Sequence, residues 1–129
     1  LGVADRVIFG GWMEQTRVKA CLASADVFVS ASKWEGMPNA CLEAMAAGLP
    51  LVLSRIAGHE ELVEEGKNGF LFEQDNGSAL ADLIRGLAES PAIRLRMGRE
   101  SLRIASERFR WEDSAARCLE IFERCRNLS

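Results

Sequence analysis

The sequence predicts an α/β layered fold around a parallel sheet, from the way its apolar runs alternate with helical stretches. Short apolar runs, Asp26-Val-Phe-Val-Ser30, Leu49 to Leu53 and Gly69-Phe-Leu-Phe72, alternate with stretches of helical composition. Such alternation builds βαβ units, whose strands run parallel because each crossover is a helix. Composition sets the scale: 129 residues, 48% apolar and 27% charged, with 3 Pro and 11 Gly. That is enough for one core and too short for two full domains. It also excludes disorder and collagen-like repetition.

The first expected element is a strand at Arg6-Val-Ile-Phe-Gly10, ending on the pair Gly10-Gly11. A helix follows from 13 to about 24, with Val18, Cys21, Leu22 and Ala25 as its apolar stripe. Asp26–Ser30 is apolar enough for a strand buried on both faces. Ala31 to Met37 reads as a loop, and Pro38 then opens a helix that runs through Ala47 and stops at Gly48. Leu49–Leu53 is the third strand, Glu60–Glu65 a short helix ended by Gly66, and Gly69–Phe72 the fourth strand. Helices fill the rest to about residue 127, as segments near 77–89, 91–107 and 112–126, with Pro91 in the first turn of the second.

Charge and cysteine content exclude several function classes. The net charge is −3, whereas a nucleic-acid binder shows a basic excess on one face. Arg94, Arg96, Arg99, Arg103, Arg108 and Arg110 are interleaved with Glu100 and Glu107, the pattern of a mixed-charge helix surface. Cys21, Cys41, Cys118 and Cys125 lack C-x-x-C spacing, and one histidine cannot complete a zinc site with them. Cys118 and Cys125 lie two turns apart on one helical face and read as buried thiols of a reducing compartment. The longest apolar run, Ala44 to Leu53, is broken by Gly48 and Pro50 and falls short of the roughly 20 residues needed to cross a bilayer. No secretory signal opens at Leu1, so the expected location is the cytoplasm.

In open parallel sheets, ligands bind outside the carboxyl ends of the strands. That rule singles out Gly10-Gly11, the loop Ser30–Asn39 and Ser54–His59. The richest stretch is Ser30-Ala-Ser-Lys-Trp-Glu-Gly-Met-Pro-Asn-Ala-Cys-Leu-Glu43. Gly36 permits close backbone approach to a ligand, and Pro38 removes an amide that a helix start leaves unpaired anyway. The amides of Asn39 and Ala40 then point out of a positive helix end, which favours phosphate. Two carboxylates flank this anion site, Glu35 in the loop and Glu43 about one and a half turns into the helix. Carboxylates beside a phosphate make sense if they accept neutral hydroxyls, so the residues themselves point to a nucleotide-linked sugar.

The stretch Glu35-Gly-Met-Pro-Asn-Ala-Cys-Leu-Glu43-Ala-Met-Ala-Ala-Gly-Leu-Pro resembles the E-x7-E motif of retaining GT-B glycosyltransferases, especially family 4, the glycosyl transferases group 1. Asp5–Gly10, Ala25–Ser30, Asn68-Gly-Phe-Leu and the closing Arg108-Phe-Arg-Trp111 agree with that family as well, so the resemblance runs over nearly the whole chain. It implies a Rossmann-like parallel sheet with flanking helices, as one truncated domain over residues 1–129 that forms part of a C-terminal, donor-binding GT-B domain. By the resemblance, Glu35 is the catalytic-site carboxylate on the donor sugar's hydroxyls, helped by the amides of Gly36 and Met37. Asn39 and Ala40 approach the diphosphate, Glu43 accepts the ribose hydroxyls, and Gly10-Gly11 borders the base. The implied donor is a UDP-sugar ahead of a GDP-sugar, and the acceptor a glycan, a lipid-linked or polysaccharide glycan among the candidates. The transfer retains the anomeric configuration, uses no metal or other cofactor, and lets the leaving phosphate take the acceptor's proton.

The family's domain normally begins with two further βα units, which carry an Arg and a Lys on the diphosphate; neither is in this sequence. In the family's strand order, 3-2-1-4-5-6, the missing strands are central ones. The chain is therefore expected not to transfer sugar unaided, and its exposed sheet edges to invite pairing with another copy. A full-length protein of this kind would be cytoplasmic, or peripheral at the inner face of the membrane.

Each residue also has a plainer role. Glu43 suits a surface helix, and Glu35 a helix N-terminus, where a carboxylate contributes ~0.3–1 kcal/mol. His59 either helps start a helix or lines the donor pocket, Lys33 faces phosphate or solvent, and Trp34 packs on the sugar or serves the core or a lid. Glu61 matches a family glutamate with a structural role. Two alternatives stand beside the transferase: a non-catalytic remnant or interaction module keeping the fold, and a glycoside hydrolase using Glu35 and Glu43. The hydrolase requires carboxylates about 5–5.5 Å or about 6.5–9.5 Å apart, whereas Glu43 is placed beneath a helix start with room for a diphosphate above it.

Overall fold

The computed structural model describes residues 2–126. Its three strands, β1 (Phe28–Ser30), β2 (Leu51–Ser54) and β3 (Gly69–Phe72), lie side by side in chain order and run parallel. Helices α1 (Gln15–Ser24), α2 (Asn39–Ala46), α3 (Ala57–Glu60), α4 (Gly77–Glu89), α5 (Pro91–Arg108) and α6 (Trp111–Arg126) surround them. The architecture is the expected α/β fold with a parallel sheet and flanking helices.

β2 is the centre of the molecule, with all four residues buried. Its side chains alternate between two layers, as a pleated strand requires. Leu51 and Leu53 join Cys41, Ala44 and Met45 of α2, Leu62, and Ile104 of α5 in one cluster. Val52 joins Phe72, Leu87 and Met97 in the other, with Leu80 and Leu83 of α4 against them. Leu80, Leu83 and Leu87 recur at helical spacing, which is why α4 lies flat on that face. Asn76 caps α4 by accepting the Ala79 amide at 3.1 Å.

α5 crosses α2 at a contact only glycine allows. Gly48, at φ +76°, ends α2, and a Cβ on Gly98 of α5 would overlap the Gly48 carbonyl oxygen. Buried Asn68 fixes the turn into β3: its amide donates to the Leu62 carbonyl at 2.9 Å and its carbonyl accepts from the Glu64 amide at 2.8 Å.

Four expectations are corrected. Residues 6–10 form no strand: a 3-10 turn spans Ala4–Arg6, and Ile8 and Phe9 are more than nine-tenths exposed. Among the described residues β1 is bonded to β2 alone, so this segment has no neighbouring strand to pair with, and an unpaired strand does not persist. For the same reason β1 is not buried on both faces; it is a three-residue edge strand with Val29 exposed. The helix expected at 60–65 starts instead at Ala57, directly after β2, and the Asn68 side chain holds the residues beyond it in a turn. Finally, Cys118 and Cys125 are exposed because α6 buries none of its residues, and Cys21 is exposed on α1, which buries none either. Residue 127, the expected end of the last helix, lies outside the described residues.

The arginine-rich stretch forms the mixed-charge surface its sequence predicts. Arg103 pairs with Glu100 and Glu107, Arg108 with Glu64, Arg110 with Glu112, and Arg94 with Asp26. These pairs are largely exposed and contribute little individually.

Cys41 differs from the other thiols. Burial, and secondarily the charge of Glu35, pushes it up to about 12. Iodoacetamide at pH 8–9 is therefore expected to label Cys21, Cys118 and Cys125 in the native chain and Cys41 only after unfolding, as read by mass spectrometry. Gly98→Ala is expected to lower stability by about 1–3 kcal/mol in urea unfolding, because the added methyl meets backbone, which cannot swing aside.

Candidate functional site

The candidate site lies where β1 and β2 end and α2 begins. The loop from Ala31 to Pro38 leaves β1, rises over the carboxyl end of β2, and descends into α2. It is secured from below. Ser54, the last residue of β2 and 1% exposed, donates its hydroxyl to the Ser32 carbonyl at 2.5 Å. Beside it, fully buried His59 places Nδ1 2.8 Å from the Ser54 carbonyl and 3.3 Å from its hydroxyl. A Cβ on Gly58 would sit 2.7 Å from the Gly36 carbonyl oxygen and 2.8 Å from that of Glu35. Any side chain there would lift the loop off the strand end.

Within the loop, Ser32 donates to Glu35 Oε1 at 2.9 Å, and the Ser30 and Ser32 hydroxyls are 3.2 Å apart. On the outer side the loop meets the start of α4: Lys33 pairs with Asp75 at 3.3 Å, and Gln74 donates to the Lys33 carbonyl at 3.3 Å. Lys33 is thus a clasp in solvent. Trp34 is 84% exposed and forms no part of the core.

α2 begins without a side-chain cap, its preceding residue being Pro38. Among the described residues the amides of Asn39 and Ala40 have no acceptor, as the first amides of a helix lack one unless something outside supplies it. Asn39 and Ala40 are exposed, so these amides open to solvent at the positive end of α2. Met37, Asn39, Leu42, Glu43 and Ala46, on one side of α2, form a wall of a groove of about 690 Å³. Leu102, Ala105, Ser106 and Arg108 of α5, Phe109 after it, and Trp111 and Ser114 of α6 line the rest, together with Gln15 at the start of α1. Glu43 and Arg108 give this largely apolar groove one charge of each sign. Arg108 is oriented by the Glu64 carboxylate and the Glu61 carbonyl at 3.3 and 3.4 Å, and lies over the Phe109 ring.

The structure thus brings together Met37, Asn39 and Glu43 on the groove, with Gly36 and Ala40 adjoining. Glu35 is set apart from that wall, turned toward Ser32. Gly10 and Gly11 do not line the groove and stand on the exposed segment before α1. His59 does not line it either; it serves the floor beneath the loop. Sequence reasoning missed Ser32 and Ser54. The available signals were a serine three residues before Glu35 and a hydroxyl ending an otherwise apolar strand. Among the described residues no group of three His, Cys, Asp or Glu is gathered as for a metal ion, and no helix is long and apolar enough to cross a membrane.

Residues 1–103 match the family model for glycosyl transferases group 1. The chain is 36% identical over 124 residues to spore coat protein SA of Bacillus subtilis, covering 95% of this chain and 33% of that protein. Its fold is similar to sucrose-phosphate synthase from Thermosynechococcus elongatus, with a TM-score of 0.93 at 26% identity, covering 98% of this chain and 32% of the other. It is also similar to Anabaena HepE in complex with UDP-glucose, with a TM-score of 0.87 at 28% identity over 96% of this chain and 34% of that one. The chain therefore spans about a third of the length of each of these proteins. With the family model matching residues 1–103 and the fold shared with these structures, the chain belongs to the glycosyl transferases group 1, a GT-B family.

Proposed function

We propose that residues 1–129 are the donor-binding part, C-terminal in the whole protein, of a retaining family 4 glycosyltransferase that takes a nucleotide-diphosphate sugar. The open amides of Asn39 and Ala40, with Glu43 on the same helix and Glu35 in the loop before it, carry this reading. A diphosphate needs donors and positive potential, which the helix start supplies. Ribose and hexose hydroxyls need acceptors on either side of it, which the two carboxylates supply. The UDP-glucose complex of HepE favours a uridine donor over a guanosine one.

Glu43 holds the ribose hydroxyls in this reading, and the apolar groove walls shelter the nucleoside. Glu35 orients the sugar, with the Gly36 and Met37 amides beside it. As the glycosidic bond to phosphate breaks, negative charge grows on the phosphate, and the α2 amides stabilise it where it develops. The released phosphate oxygen takes the proton of the acceptor hydroxyl as that hydroxyl's oxygen bonds the anomeric carbon on the same face, so no protein nucleophile is needed and configuration is retained. The acceptor, a glycan or lipid-linked glycan, and the remaining diphosphate contacts belong to the whole protein, which is proposed to work in the cytoplasm or at the inner membrane face.

Saturation-transfer NMR on this chain with UDP-, GDP- and ADP-glucose tests the proposal. Ribose and sugar protons are expected to saturate most strongly with UDP-glucose, and Glu43→Ala to weaken binding about tenfold to hundredfold, as the loss of hydrogen bonds to a charged group does. Absence of saturation from all three donors, in a chain shown to be folded, would favour a non-catalytic module that keeps the fold.

A further inference from the structure

We propose that Ser32 and Ser54 are positioning residues that together hold Glu35 in the orientation in which it receives the donor sugar, an inference that rests on the sugar-binding role of Glu35 proposed above. The direction of each hydrogen bond follows from the chemistry of its ends. The Ser54 carbonyl only accepts, so His59 Nδ1, 2.8 Å away, carries the ring proton that binds it. Nδ1 then has no lone pair for the Ser54 hydroxyl at 3.3 Å. The single proton of that hydroxyl is left for the Ser32 carbonyl at 2.5 Å.

The Glu35 carboxylate likewise only accepts, so the Ser32 hydroxyl gives its proton to Oε1 at 2.9 Å and accepts that of Ser30 at 3.2 Å. Ser32 is thereby fixed at both ends, its backbone by the floor of the site and its side chain by the carboxylate. The floor is stiff, because Ser54 is 1% exposed and paired within the sheet, and His59 is 0% exposed. Slack is removed by Gly58, whose backbone abuts the carbonyls of Glu35 and Gly36. Among the described residues Oε2 of Glu35 has no hydrogen-bond partner, so the arrangement occupies one carboxylate oxygen and presents the other. Ser54 never meets the donor, yet sets where that second oxygen lies.

The test compares the wild-type chain with Ser32→Ala, Ser54→Ala and Ser54→Thr. Affinities for UDP-glucose and for UDP are read by NMR titration, and amide exchange of residues 31–37 is followed in the same samples. Each alanine variant is expected to bind UDP-glucose about threefold to tenfold more weakly while its affinity for UDP stays within about twofold of wild type. Ser54→Ala is also expected to speed exchange in the loop, and Ser54→Thr, which keeps the hydroxyl, to restore both readouts. An equal loss of both affinities would mean a merely structural role and overturn the proposal. So would unchanged UDP-glucose binding in Ser32→Ala and Ser54→Ala. A wild type that binds neither probe, or gains nothing from the glucose, overturns the role of Glu35 first and this inference with it.

Discussion

Everything in this molecule that bears on a ligand depends on the burial of β2 between two parallel neighbours. Its four residues are all buried, and three of them carry both hydrophobic layers: Leu51 and Leu53 on the side of α2, Val52 on the side of α4. Parallel pairing aligns the carboxyl ends of all three strands at one edge of the sheet. The loop after β1 therefore passes directly over the end of β2, where Ser54 and Gly58 are waiting beneath it. An antiparallel pairing would have carried those residues to the opposite edge.

The two carboxylates owe their difference in setting to this arrangement. Glu35 belongs to the strand-end side and is held by serines; Glu43 belongs to the helix side and faces an apolar groove with one arginine. Between them stands the uncapped start of α2. Glu35 hydrogen-bonds Ser32 in the loop, whereas Glu43 lines the groove, so the two carboxylates have different surroundings on either side of the start of α2. Arg108 reaches that groove only because α5 is pressed onto α2 at Gly48 and Gly98, which brings the end of α5 close to the helix bearing Glu43.

Much of the fold was legible because its signals were local. Gly69–Phe72 and Gly77–Glu89 match their expected bounds, since an apolar β-type run and a capped stripe of leucines each declare themselves within a few residues. The Pro38 start and Gly48 stop of α2 were equally plain. What failed was what depends on partners far away in sequence. Among the described residues Arg6–Gly10 has a strand's composition but no adjacent strand to bond, and Cys118 and Cys125 have the right spacing for burial on a helix none of whose residues is buried. The candidate site divides the same way: Asn39 and Glu43, which line the groove, lie in one contiguous stretch. Ser54 and its hold on Ser32 span 22 residues and needed the register of the sheet to appear.

The exposed crest of the loop has a consequence for how such a site can diversify. The residues that hold the loop, Ser54, Gly58 and His59, are buried beneath it, whereas Trp34 and Met37 project from its upper surface. Exposed side chains of this kind contribute almost nothing to folding, so exchanging them costs little stability. Selection can then reshape what a ligand touches while the carboxylate beside it keeps its place. Inheritance of the scaffold and drift of its preference are separated by a single layer of backbone.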